Sequence, residues 1–415
     1  MSEPRKIVIV GAGLAGATAA GTLRERGYAG EILLLGTDTH RPYELPALSK
    51  GLLLGNTDEP DWVHDAGFYE EKDIAHKSGA TATRIELGAR LVVDDAGGEH
   101  RFDRLVLATG SRPRSLPVPG GDLPGLRTLR TLDDALALRS AFKDAERVVI
   151  VGAGWIGTEA AAAAREHGAE VTVVDQVGSP LLAVLGEQIS GVFEALHAEH
   201  GVKWRLGEGL AGFTGGPDGV TGVRLKSGDE LPADVVLVAV GAAPQVDLAH
   251  AAGLELSDDG GVCADAGLRT AAPDVYAIGD IAAHFHPRYG KRVRVEHWAN
   301  AKWQGEHVAG NLLGENEPYR KSPYFFSDQY DTNTGGPAIG CEYRGLADLE
   351  RDHLVVRGDL KAFNFTAFWV SPDGEVHAAM NVNQWDDGDA LKRLVDSRVK
   401  VTDDALKSGS LADLG

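Results

Sequence analysis

Residues 6–16 read KIVIVGAGLAG, and residues 147–157 read RVVIVGAGWIG. Each is a short aliphatic, β-branched run that ends in Gly-x-Gly-x-x-Gly and enters an alanine-rich stretch, predicting helices over 17–26 and 158–167. A second apolar run follows each helix, EILLL at 31–35 and EVTVVD at 170–175. Strand, turn, helix and strand are therefore written twice. The glycines have separate tasks. Gly11 and Gly152 permit the tight turn, Gly13 and Gly154 let backbone N–H groups approach a pyrophosphate, and Gly16 and Gly157 let helix and strand close on each other. The helix N-terminus then presents its positive dipole end to the diphosphate. One such loop says little. Two, each in full context, predict two Rossmann-like dinucleotide sites in an α/β chain.

In such folds a carboxylate at the end of the second strand receives a ribose hydroxyl. Asp175 stands there in the second copy, with no arginine before Arg205, a pattern that fits NAD and not NADP. In the first copy the same place falls on Gly36–Asp38. LVLATGSRPR (105–114) and VLVAVGAAPQ (236–245) each run a buried strand into Gly and Pro and would close a dinucleotide domain. APDVYAIGDIA (272–282) is a further strand ending in Gly-Asp, which places Asp280 beside a helix N-terminus, where it would accept a ribityl hydroxyl. After residue 321 aromatics become dense. KAFNFTAFWV, the turn at 371–374 and EVHAAMNVN predict a β-hairpin, 387–399 predicts a helix, and the tail after Thr402 is expected to be loosely held.

The chain has 415 residues, a length for two to three domains. Lys plus Arg is 41 and Asp plus Glu is 61, a net charge of −20 that argues against nucleic-acid binding. Glycine is abundant, 53 residues, consistent with many tight turns and close backbone approaches. The two cysteines, Cys263 and Cys341, form no Cys-x-x-Cys, so neither a redox disulfide nor a zinc site is expected. No signal-peptide pattern precedes Ile7. The longest apolar stretch, Val148 to Ala164, is broken by glycines and Glu159, so no membrane span is expected and the reading is cytoplasmic.

These motifs, with RPYELPALSKGLL, LRTLDDALALR, VEHWANAKWQG, YFFSDQYD and AAMNVNQWDD, resemble the pyridine-nucleotide ferredoxin reductases of the putidaredoxin-reductase type over nearly the whole chain. PALSK, GWIGTE and FFSDQYD are the most specific. The resemblance implies two nested Rossmann-like domains plus a C-terminal α+β domain, a glutathione-reductase-like architecture. FAD would occupy residues 1–115 and 245–320, NAD residues 116–244, and the last domain would span 321–415. It implies hydride transfer from NADH to the flavin and electron delivery to a small iron–sulfur ferredoxin that serves an oxygenase. Lys50 matches the family's flavin-contacting lysine and Glu159 the glutamate that pairs with it. Ala15, Lys50, Ala82, Arg130, Asp280 and Trp298 match FAD contacts. Gly152, Gly154, Ile156, Gly157, Glu159, Asp175 and Gly241 match the nucleotide side. No histidine base and no metal is required, so the fourteen histidines are expected mostly at the surface.

Some positions depart from the family pattern. Leu45-Pro46-Ala47 replaces a common Arg-Pro-Pro, with Arg41 as a substitute FAD contact; Thr37 stands where an acid is frequent; and Phe326 stands where Trp is common, bordering the electron exit. The link DTNTGGPAIG (331–340) is longer than usual and alters the partner surface. An acidic ferredoxin meeting an acidic reductase needs a local basic patch, and Arg288, Lys291, Arg292 and Arg294 are expected to supply it. The reductase is expected as a monomer or weak homodimer. Two other readings stay open at this point: a flavin reductase with another acceptor, such as rubredoxin or an ascorbyl radical, and an apoptosis-inducing-factor-like redox-responsive binding protein.

Overall fold

A computed structural model of the chain describes residues 4–330 and 336–414. Residues 331–335, half of the long link noted above, lie outside the described residues. The chain divides into two compact units.

The first unit comprises Met1–Glu44, Asp61–Arg112 and Ala242–Pro323. Its centre is a five-stranded parallel sheet in the order Val275–Ala277, Arg104–Leu107, Lys6–Val10, Glu31–Gly36, Ile74–Ser78. Both faces are covered, which is why its strands read as unbroken apolar runs. Ile7, Ile9, Ile32 and Leu34 pack with Leu23 and Val308 on the helical face. Val8, Val10, Leu33 and Leu35 pack on the other face with Ile85 and Val92 of a three-stranded antiparallel sheet (Ala82–Glu86, Leu91–Asp94, Glu99–Arg101). Helices Leu14–Glu25 and Trp298–Leu312 lie very close, since a Cβ built on Gly305 would meet the Ala15 carbonyl at 2.5 Å.

The second unit comprises Leu45–Pro60, Pro113–Gly241 and Tyr324–Gly415. It holds a second parallel sheet, in the order Lys203–Leu206, Glu170–Asp175, Arg147–Val151, Val235–Val238, Leu126–Arg127. It also holds a five-stranded antiparallel sheet, in the order Tyr324–Gln329, Ile339–Gly345, Val376–Val382, Asn364–Val370, His353–Asp359. The expected hairpin is its Asn364–Val370 and Val376–Val382 pair, and the expected helix spans Gly388–Ser397. One face of this sheet packs Phe365, Trp369 and Met380 against Ile189 and Phe193 of helix Leu182–Glu199. The other packs Phe368, Val370 and Val376 against Leu391 and Leu394.

Three expectations are corrected. The nucleotide-loop helices begin three residues earlier, at Leu14 and Trp155, because Gly13 and Gly154 are themselves the N-caps. The tail after Thr402 is held: the Thr402 hydroxyl caps helix Asp403–Ser408, and Leu406 and Leu411 are buried in the sheet's outer core. The histidines are less superficial than expected, with His100, His197, His284 and His286 buried. Among the described residues no helix is long and apolar enough to cross a membrane.

Candidate active site

The two glycine loops are near copies. Gly11 has φ +112°, and a Cβ there would lie 2.1 Å from the Ala108 carbonyl oxygen; Gly152 has φ +114°, with Ala239 oxygen at 2.3 Å. Neither position admits a side chain. At Gly16 and Gly157 a Cβ would come 2.0 Å from the carbonyl oxygens of Gly11 and Gly152. Gly13 and Gly154 differ: nothing lies within 4 Å of a Cβ built on them, and neither helix N-terminus has a side-chain cap. Each helix therefore opens on space with first-turn N–H groups that no side chain satisfies, the geometry that suits a diphosphate. Ile156, in the first turn of helix Trp155–Glu166, is a large apolar side chain left 40% exposed, as a surface for a ligand would be.

These glycines separate folding from binding. Gly152→Ala is expected to lose about 1–3 kcal/mol of unfolding free energy, because φ and the Ala239 carbonyl both oppose it. Gly154→Ala, at φ −82°, should keep the urea midpoint of the native protein while weakening the binding of any dinucleotide at that helix N-terminus in a titration.

In the second unit both Asp175 oxygens accept backbone N–H groups, from Ala153 at 2.7 Å and Val177 at 3.1 Å. The carboxylate ties its strand end to the glycine loop and keeps lone pairs for a ribose hydroxyl. In the first unit the matching position is Gly36, whose Cβ would meet the Ala12 methyl at 2.5 Å. Asp38, two residues on, accepts from His40 N (2.9 Å) and the Tyr43 hydroxyl (2.8 Å). Gly241 has φ +94°, and its carbonyl receives Arg114 N at 3.0 Å. Arg130 precedes the capping box of Thr131 and Asp134 that opens helix Leu132–Asp144.

Elsewhere in the first unit, Ala15 is buried on helix Leu14–Glu25, and a Cβ on Gly279 would stand 3.2 Å from its methyl. That contact brings the Gly279–Ile281 turn, and with it Asp280, to the first glycine loop. Gly279 N donates to Gln304 Oε1 at 2.8 Å, and the Asp280 carbonyl accepts from Arg294. Trp298 begins its helix; its indole N–H donates to Glu44 Oε2 at 2.7 Å, and the Lys302 ammonium sits 5.1 Å over its ring. Burial pushes the Glu44 carboxyl up, against the opposing Trp298 hydrogen bond. Arg41 stacks on Trp62 at 4.1 Å. Ala82 packs on the opposite face of the parallel sheet from Ala15. In the basic stretch, Lys291 and Arg292 are exposed and pair with His286 and Phe285 in a hairpin. Arg294 is only 12% exposed and is paired with Glu296 and Asp259, so it is an internal brace and leaves the expected docking face.

Lys50 and Glu159 meet in the second unit. Pro46–Ser49 and Gly51–Leu54 are one-turn helices, and Lys50 is the break between them. Arg139, bonded to the Leu52 and Thr57 carbonyls, and His167, bonded to the Leu53 carbonyl, hold this excursion against helices of the unit. Lys50 Nζ lies 2.7 Å from Glu159 Oε1, with side chains 15% and 5% exposed. The Phe326 ring lies 5.2 Å from the ammonium. Ser49 and Ser327 also donate to Glu159, which sequence reading missed although both sit inside the PALSK and FFSDQYD strings. Only strand register shows that Ser327 points inward.

The Pyridine nucleotide-disulphide oxidoreductase family matches residues 5–305, and the Reductase C-terminal family matches residues 324–413. The ferredoxin–NAD(+) reductase component of the anthranilate 1,2-dioxygenase system of Burkholderia cepacia is 38% identical over 94% of this chain and 93% of its own. Rhodocoxin reductase of Rhodococcus erythropolis is 38% identical over 87% and 83%. The structure of the covalent putidaredoxin reductase–putidaredoxin complex superposes with a TM-score of 0.93, at 35% identity, covering 100% of this chain and 98% of that one. A family with this name and fold binds FAD and a pyridine nucleotide. With nearly three quarters of its length matched by that family model and relatives at 38% identity over most of both chains, this chain belongs to the pyridine nucleotide-disulphide oxidoreductase family, among its ferredoxin reductases of the putidaredoxin-reductase type.

Proposed function

We propose that this chain is an FAD-dependent reductase that oxidises NADH and passes electrons one at a time to a small iron–sulfur ferredoxin serving an oxygenase system. The observation that carries the reading is the buried Lys50–Glu159 pair in a chain with two nucleotide loops and two buried, separate cysteines. When bound, the flavin supplies the conversion of a two-electron donor into one-electron steps. The chain supplies the rest. Gly11, Gly13 and Gly16 cradle the FAD diphosphate, Gly36 lies at its ribose, Asp280 is the ribityl acceptor, and Ala15, Ala82, Arg130 and Trp298 contact FAD. Gly152, Gly154, Ile156, Gly157, Asp175 and Gly241 hold NAD. Lys50 places a fixed positive charge where negative charge arrives, and Glu159 holds that ammonium in place. Asp175 favours NAD, since a 2′-phosphate would meet its carboxylate. The domain reading is 1–115 with 245–320 for FAD, 116–244 for NAD and 321–415 at the C-terminus, with Leu45–Pro60 belonging to the compact second unit.

A relative crystallised in covalent complex with putidaredoxin supports an iron–sulfur acceptor. Arg288, Lys291 and Arg292 are the docking charges. Lys291→Glu with Arg292→Glu is expected to lower ferredoxin-dependent turnover about tenfold at low salt and to flatten its salt dependence, with NADH-to-flavin transfer unchanged. Stopped-flow mixing tests the whole reading: NADH bleaches the flavin, and a ferredoxin re-oxidises it rapidly. Re-oxidation by rubredoxin or ascorbyl radical alone, or a long-lived reduced complex, would replace it.

A further inference from the structure

We propose that Ser327 and Ser49 are positioning residues that hold the Glu159 carboxylate as an oriented anion and so fix where the Lys50 ammonium stands. The catalytic consequence rests on the reductase reading; the geometry does not. Glu159 receives three donors. Lys50 Nζ (2.7 Å) and Ser327 Oγ (2.6 Å) reach Oε1, and Ser49 Oγ (2.5 Å) reaches Oε2. A carboxylate is acceptor-only, so this is the form that all three satisfy.

The direction of these bonds is imposed from further away. The Thr158 hydroxyl donates to the Trp155 carbonyl at 3.0 Å, so it can receive the Gln329 amide N–H, also at 3.0 Å. That orients the amide: its nitrogen also reaches Ser327 Oγ at 3.3 Å, and its Oε1 faces His197 Nε2 at 2.8 Å. His197 must therefore donate from Nε2, and Nδ1 accepts the Tyr330 hydroxyl at 2.8 Å. With the Gln329 amide spending an N–H on Ser327, the Ser327 proton is left to Glu159. Thr158, His197, Ser327 and Gln329 are all buried. Tyr330 to His197, His197 to Gln329, Gln329 to Ser327, Ser327 to Glu159: every donor points toward the carboxylate, and aligned bonds strengthen one another. An amide in the middle cannot relay a proton as a hydroxyl does, so the array is a scaffold of dipoles and not a conduit. The strand Tyr324–Gln329 thus serves the lysine twice, with the Phe326 ring against the ammonium and the Ser327 hydroxyl on its partner.

The test is infrared difference spectroscopy of purified protein at pH 7. The titratable groups facing Glu159 are Lys50, Asp328 and Cys341, with His197 behind Gln329. Ser49→Ala/Ser327→Ala is expected to show a displaced carboxylate stretching band in the difference spectrum against the native protein. Adding Glu159→Gln should erase it, and Ser327→Thr, which keeps a hydroxyl, should never show it. In the reductase assay Ser327→Ala should slow flavin reduction about tenfold with KM for NADH little changed, and Ser327→Thr should restore it. A folded double variant without the band overturns the proposal. If Ser327→Ala does not fold, Ser49→Ala alone, at a partly exposed site, must show a weaker band, and its absence overturns the proposal equally. The infrared readout needs neither NADH nor a ferredoxin, so its failure and that of the reductase reading are separable.

Discussion

Lys50→Met is expected to lower the unfolding free energy by roughly 3–5 kcal/mol and to abolish NADH-driven flavin reduction. Glu159 is 5% exposed, and among the described residues its charge would keep, without Lys50, two serine hydroxyls. Taking one partner from a buried pair leaves the other's desolvation uncompensated. Taking both does not, because well-packed apolar side chains of similar volume avoid that desolvation altogether. Lys50→Met/Glu159→Leu should therefore recover most of the lost stability and remain inactive. Urea unfolding of the three proteins checks this. A single variant as stable as the native protein, or a double variant no better than the single, would show that the pair is not electrostatically isolated from water.

Acid should unfold the protein well above the carboxylate range. Burial pushes His197, His284 and His297 down to about 4 from the ordinary 6.5. For His197 the Gln329 hydrogen bond opposes this without offsetting it, and for His284 the neighbouring His286 adds to it. The folded pKa lies below the unfolded one, so between pH 6.5 and 4 the unfolded chain binds protons that the native chain refuses. Stability then falls as pH drops through that window, by on the order of 2–3 kcal/mol per group at its lower end. The urea midpoint should be flat from pH 8 to 7 and decline steeply from pH 6 to 5. His284→Phe, which keeps an aromatic ring edge-on to Tyr319, should remove part of that slope. Equal midpoints at pH 7 and 5 would contradict the assignment.

The doubly written glycine loop made the nucleotide folds legible, because backbone approach at Gly11 and Gly152 admits no other residue. The strand pair at 364–382 was legible through turn chemistry at 371–374. What was hidden depends on non-local contacts. Thr402 looks like the start of a loose tail until its hydroxyl is seen capping a helix whose Leu406 completes a core. Arg294 reads as one charge in a basic run, yet Asp259 and Glu296 neutralise it. Ser49 and Ser327 carry no chemistry in sequence because they are 278 positions apart and meet only across Glu159. The buried histidines were missed for the same reason: nothing local distinguishes His197 from the adjoining His200 until Gln329 and Tyr330 arrive from the C-terminal strand.

The two glycine loops match to within a few tenths of an ångström at their crowded positions, yet the strand ends beside them do not match. Asp175 bonds to its loop through Ala153, whereas at Gly36 the methyl of Ala12 occupies the space a side chain would need. A duplicated motif is free to drift back toward its twin, and one point mutation could blur which ligand each copy prefers. Ala153 is the counterpart of Ala12, so an alanine beside a strand-end aspartate is tolerated in one copy; in the other a Cβ at 36 would lie 2.5 Å from the Ala12 methyl, and an aspartate there requires the loop to shift. The two strand ends are therefore not interchangeable by one substitution: a carboxylate at 36 also demands that the backbone beside Ala12 move.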